Sequence, residues 1–167
     1  MAALKTYKTR NDLAVEVREQ MITLLNQHLA DTLDLYSQAK QAHWNVKGPE
    51  FFQLHELFDK LAGEAEAYVD LIAERVTALG GTAAGTVRMS AAASRLDEYP
   101  VDVSQGLASV EALAGAYAAL AETTREAIDT ADRAGDADTA DLLTEISRGL
   151  DKSLWFLEAH LQSSDAQ

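Results

Sequence analysis

Apolar residues recur at three- and four-residue steps through four long stretches of the 167-residue chain, the period of helices that each bury one face. The first stretch opens at Asp12, where Asn11 is placed to cap it, and runs without glycine or proline to Gly48 and Pro49. The second begins at Pro49, a residue suited to a first helical turn, and ends at the pair Gly80 and Gly81. The stretch GTAAGTVRMSAAASRLDEYPVD mixes Gly, Thr, Ser and Pro and predicts a long connection with a short helix near Met89 to Arg95. Ser104 then opens a third long helix to about Arg133, and Asp138 is placed to cap a fourth that ends near Gln162. The fold class this predicts is all-α, a four-helix bundle whose long connection lets the second and third long helices run the same way. The domain is expected to span 11–162, with flexible tails at 1–10 and 163–167.

On the second helix Leu54, Phe58, Leu61, Ala65, Tyr68, Ile72, Val76 and Leu79 form one apolar stripe. Polar residues fall beside it in a single narrow arc. With His55 set at zero and about 100° per residue, Asp59 lies at about 40°, Asp70 at about 60° and Glu74 at about 100°, with Glu66 in the same arc. Solvated acids commonly line the outside of a helix, and that reading stays open. A second reading is metal binding. His55 with Asp59, and Asp70 with Glu74, each stand one turn apart, where two side chains converge on one ion. Imidazole nitrogen with carboxylate oxygens suits iron, manganese or zinc better than calcium.

The two pairs cannot share an ion within one chain, because the helix rises about 16 Å from Asp59 to Asp70. Two copies packed antiparallel about a two-fold axis near Glu64 and Ala65 would bring opposite pairs together, with Ala62, Gly63 and Ala67 keeping that surface low. His43 follows Leu29 and Tyr36 at seven-residue steps on a stripe expected to face the bundle interior, and the turn at Gly48 and Pro49 folds it back toward His55.

Composition narrows the chemistry. No cysteine is present, so thiolate metal sites, disulfides and cysteine nucleophiles are excluded. Lys and Arg number 14 against 27 Asp and Glu, for a net charge of -13, which disfavours nucleic acid and suits a protein that attracts cations. The start, MAALKTYKTR, has no apolar core of a leader, and ALAGAYAALA from Ala112 is shorter than the roughly 18 residues a membrane span needs, so a soluble, cytoplasmic protein is expected. No Glu stands three residues before a His, which argues against a di-iron site inside the bundle.

The segments AHWNVKGPEFFQLHELFD and EAYVDLIAERVTALGG together resemble the signature of the Dps proteins, mini-ferritins of the ferritin-like superfamily. TADLLTEISRGLDKSLWFLEAHL is similar to that family's last helix, so the resemblance runs from Leu13 to Leu161. It implies a ferritin-like bundle in which His43, His55 and Asp59 of one subunit face Asp70 and Glu74 of its neighbour as ligands of a ferroxidase site, with Trp44 beside it. It further implies oxidation of Fe(II), with hydrogen peroxide preferred over oxygen, and storage of Fe(III) in a hollow homo-dodecamer built from two-fold dimers. Two irons per site are expected, with zinc or manganese as competitors.

The resemblance also implies that Asp136 and Asp141, in an acid-rich stretch, line an iron-uptake pore, helix capping being the alternative. Protection of DNA is expected through removal of iron and peroxide, with direct DNA binding weak or absent because Lys5, Lys8 and Arg10 are the only basic residues of the N-terminal tail. The alternative is a DNA-compacting protein associated with the nucleoid. His28 and His160 match no signature position, and Asp151 and Lys152 resemble residues of subunit ion pairs.

Overall fold

A computed structural model describes residues 4–162; the expected tail at 163–167 lies outside the described residues. Four long helices and one short one make up the fold: α1 Val15–Asn45, α2 Phe51–Ala78, α3 Val87–Ala93, α4 Gly106–Ala134 and α5 Ala137–Leu161. α1 packs along α2 and α4 along α5, as antiparallel hairpins closed by short turns. Contacts between the hairpins give the topology. Arg75 near the end of α2 reaches Thr139 at the start of α5, and Glu64 meets Ser153 further along, so α2 and α5 run antiparallel. α2 and α4 therefore run the same way, as the long connection predicts.

The apolar stripe of α2 is buried at every predicted position except Tyr68, which is half-buried. It meets Leu25, Leu29 and Leu35 of α1, Tyr117 and Leu120 of α4, and Leu150 of α5 in one core. Each fully buried Leu, Ile or Phe there contributes about 1.5–3 kcal/mol. On α1 the core face runs through Leu35, Ala39 and Ala42, while Tyr36 and His43 sit at its margin rather than inside it.

Several boundaries differ from expectation for local reasons. α1 starts at Val15, because Asn11 accepts a hydrogen bond from the Leu13 N–H at 3.0 Å and so closes a short turn instead of capping a helix. α4 begins at Gly106, with Gln105 in the cap position and no side-chain bond. α3 is set two residues early, where the Thr86 side chain accepts from the Met89 N–H. The cap of α5 is Asp136, not Asp138, since Gly135 at φ 82° has just ended α4.

Polar side chains of α1 hold the long connection. Arg95 donates to Asp31 through Nε at 3.0 Å and through a terminal nitrogen at 2.6 Å. Gln27 donates to the Ala93 carbonyl at 2.8 Å and Gln38 to that of Asp97 at 2.9 Å. The N-terminal segment departs from the expected free tail. The Tyr7 N–H donates to Gly80 O at 2.7 Å, and Thr82 Oγ1 donates to Lys5 O at 2.6 Å. Gly80, at φ 89°, permits this approach, because a Cβ there would stand 2.7 Å from the Tyr7 carbonyl oxygen.

His28 is a buried residue of the α1–α4 contact, with ring nitrogens facing Leu24 O and Thr123 O at 3.1 and 3.3 Å. Burial holds its pKa below the usual value, with Arg95 adding to the effect and Asp31 opposing it. The folded chain therefore resists a proton that the unfolded chain accepts, and stability falls as pH drops below about 6.5. Urea unfolding of the wild type should weaken between pH 7.5 and 5.5 more than that of a His28→Gln variant; parallel curves would remove His28 as a source of acid sensitivity.

Candidate metal centre

The turn between α1 and α2 brings His43 to His55. Gly48 adopts φ 115°, which favours glycine, and the Lys47 N–H is pinned to Ser104 O at 2.8 Å. The two imidazoles stack with centroids 3.8 Å apart and planes 22° from parallel. Each ring bonds the other residue's backbone: His43 Nδ1 meets His55 O at 2.8 Å, and His55 Nδ1 meets His43 O at 2.9 Å. A carbonyl only accepts, so each Nδ1 carries the hydrogen. In the neutral rings each Nε2 then keeps a lone pair free for a cation, an arrangement common among metal-binding histidines.

Asp59 completes this end of the helix, its Oδ1 3.8 Å from His43 Nε2. Lys40, one turn before His43, donates from Nζ to the same oxygen at 2.6 Å. That hydrogen bond is the main reason the Asp59 carboxyl titrates below its ordinary value, the nearby Lys40 charge adding to it. Trp44 is 68% exposed, with Lys40 Nζ 5.7 Å from its ring centroid.

Asp70 and Glu74 stand on the outward face of α2, one turn apart and exposed. Among the described residues no three His, Asp or Glu side chains of one chain cluster closely enough to hold an ion. The structure thus pairs His43 with His55, places Asp59 near His43 at the same end of α2, and leaves Asp70 and Glu74 at the other. Between them the surface is low at Gly63 and Ala67. Ala62, expected at that surface, is instead buried in the chain's own core.

The acid-rich start of α5 divides in two. Asp136 is 1% exposed, accepts from Arg75 at 2.6 Å, and caps the helix by accepting from the Thr139 N–H at 3.0 Å. This corrects its expected place in a pore lining, because the carboxylate is turned inward and committed to a guanidinium. Asp138, 84% exposed, and Asp141 do face outward. Asp151 pairs with Arg125 of the same chain at 2.8 Å, and Lys152 lies over Phe156. His160 is exposed and bonds its own helix.

Sequence reasoning missed Lys40 and Arg75. Lys40 stands three residues before His43 and so on its face, the one local signal available. Arg75 had none, since its partner is 61 residues away.

The ferritin-like domain family matches residues 22–165. A DNA protection during starvation protein of Agrobacterium fabrum is 46% identical over 95% of this chain and 98% of its own length. The chain belongs to the Dps family. A second relative of that name, from Brevibacillus brevis, is 36% identical over 90% of this Dps chain and 100% of its own. A Mycobacterium smegmatis Dps structure superposes with a TM-score of 0.91 at 32% identity, covering 98% of both chains. A Vibrio cholerae Dps, described as one of the ferritin-like diiron-carboxylate proteins, superposes at 0.88 with 25% identity over 96% of this chain and 100% of that one.

The inward turn of Asp136 makes its main contribution one of stability. Asp136→Ala removes the buried partner of Arg75, leaving it Thr139 and the exposed Asp138, and uncaps α5, and should cost about 2 kcal/mol in chemical unfolding, whereas Asp141→Asn should stay within about 0.5 kcal/mol. Equal midpoints for the two variants would contradict this division.

Proposed function

We propose that this chain is an iron-oxidising and iron-storing Dps protein whose ferroxidase sites form between two subunits. The observation that carries this reading is the paired histidine clasp, which fixes two imidazoles with Nε2 free beside Asp59, while Asp70 and Glu74 present a matching carboxylate pair elsewhere on the same face. In a two-fold dimer His43, His55 and Asp59 of one subunit meet Asp70 and Glu74 of the other, and each interface makes two equivalent sites. Fe(II) is the substrate. Imidazole retains the ferrous ion, and carboxylates hold both oxidation states while favouring the ferric one. Zinc or manganese competes for the same ligands.

Hydrogen peroxide is the preferred oxidant, ahead of oxygen. Two ferrous ions bound together would supply both electrons at once, so that one peroxide with two protons from solvent becomes two waters and two Fe(III); one electron alone would leave hydroxide and a hydroxyl radical. Trp44, next in the chain to His43, is the oxidisable side chain that would take up a stray one-electron oxidation. The ferric product is stored within a cytoplasmic dodecamer, with Asp141 on the path by which cations arrive and its field raising their local concentration.

Complementation tests the shared site. Neither an Asp70→Ala/Glu74→Ala subunit nor a His43→Gly/His55→Gly subunit should oxidise Fe(II) rapidly with peroxide, while shells reassembled from both should regain activity, because one intact site can form per mixed dimer. Verified mixed shells without recovery would reject the arrangement.

Direct DNA compaction is the second reading, and the docked N-terminal segment weighs against it. Lys5, Lys8 and Arg10 lie on backbone held at Lys5 and Tyr7 rather than on a free arm, beside an acidic body. Many copies could add weak contacts, but salt screens them. Little retardation of duplex DNA is expected near physiological ionic strength; tight binding abolished by deleting residues 1–10 would restore the DNA-binding reading.

A further inference from the structure

Phe52 stands three residues before His55, at about 60° on the α2 wheel and so within the arc of Asp59 and Asp70. Its ring is 70% exposed and takes no part in the core. A two-fold axis between Glu64 and Ala65 that sets His55 opposite Glu74 and Asp59 opposite Asp70 also sets Phe52 opposite Thr77. Thr77 is exposed and lies three residues before Gly80, where the N-terminal segment is pinned.

The surface at that point is apolar and concave. Ile22 of α1 packs into the corner at Gly81, where a Cβ would stand 2.8 Å from its side chain. Over Ile22 opens a groove of about 830 Å3, walled on one side by Leu4 and Tyr7 of the N-terminal segment and on the other by Met89 of α3. All three walls are large apolar side chains left exposed by the chain itself. The segment is held through the Tyr7 N–H and the Lys5 carbonyl, which leaves its side chains available to a partner. Charge agrees with the shape: Glu50, two residues before Phe52, is exposed, while Lys5 lines the groove and Lys8 lies beside it.

We propose that this groove is a socket for Phe52 of a second copy of the chain, with Glu50 of that copy drawn to Lys5 and Lys8 at the rim. The proposal rests on the inter-subunit site described above and adds the contact that keeps its two halves in register. Each two-fold pair of subunits carries two such pins, one just outside each site. The N-terminal segment thereby becomes a wall of the subunit contact, and the side chains of Leu4 and Tyr7 acquire a partner that the single chain does not give them.

A chain without cysteine allows the contact to be trapped. In the assembled protein Phe52→Cys/Tyr7→Cys should give a covalent pair of subunits on denaturing gels after treatment with diamide, and neither single variant should. Positions 52 and 77 of one α2 are about 37 Å apart along the axis, so the two thiols meet only between subunits. Phe52→Cys/Thr77→Cys reports the two-fold register by itself. Linkage at Thr77 without linkage at Tyr7 would leave the shared site standing and overturn the socket; linkage at neither would remove the two-fold reading, and the socket with it. In sedimentation runs Phe52→Ala should raise the concentration at which the assembly dissociates by about a hundredfold, and Phe52→Leu by much less. Deleting residues 1–8 should have a similar effect that does not add to that of Phe52→Ala, because both remove one contact. Losses that add in full, or an unchanged dissociation in Phe52→Ala with helix content intact, would overturn the proposal.

Discussion

Each imidazole at the α1–α2 turn gives its Nδ1 hydrogen to the other residue's backbone carbonyl, and much of the functional reading depends on that exchange. It joins the last turn of one helix to the first turns of the next, so the tautomer of both rings is set by backbone geometry rather than by a bound ion. A site prepared in this way needs little reorganisation when a cation arrives, because the ring orientations are already held. The constraint also explains the glycine in the turn. Residue 48 must take a left-handed conformation for the chain to reverse tightly enough to bring the two carbonyls within reach of the opposite rings.

α2 serves two masters on opposite faces. Its inward stripe is one of the walls of the bundle core, and its outward arc carries the candidate ligands. Tertiary packing on the first face fixes the helix's rotation, and the outward residues inherit their direction from it. Arg75, bonded to the buried Asp136 and Thr139, ties the far end of α2 to α5 one residue beyond Glu74. The two ends of the helix are thus anchored by different chemistry: by imidazole–carbonyl bonds at one, by a buried guanidinium–carboxylate pair at the other.

What the sequence made legible was whatever a helical period encodes. The α2 stripe, the placing of His55, Asp59, Asp70 and Glu74 on one outer face, and the direction of the long helices follow from spacing and from the length of one connection. Features decided by distant partners were not legible. Asp136 looks like any acid in an acid-rich loop until Arg75 is brought to it from another helix, and Ala62 differs from Ala67 only in which neighbour each faces. Caps fell between these cases. Asn11 and Asp138 have the right chemistry, but Asn11 prefers a local turn, and α5 begins right after Gly135 with Asp136 as its cap, two residues before Asp138. The N-terminal segment looked free because its composition is polar, yet the bonds that hold it are made by backbone atoms, which composition does not reveal.

The uninterrupted middle of α2 carries an evolutionary consequence. If the two halves of each proposed site sit at opposite ends of a shared helix pair, the eleven-residue step from Asp59 to Asp70 acts as a ruler. Inserting or deleting one residue there would turn the acids by about 100° and slide them about 1.5 Å, taking the carboxylates off the shared face and breaking the core stripe at the same time. Point substitutions can accumulate along this helix while length changes cannot, so lineages should diverge freely in the connection around α3 and remain locked in frame between Asp59 and Asp70.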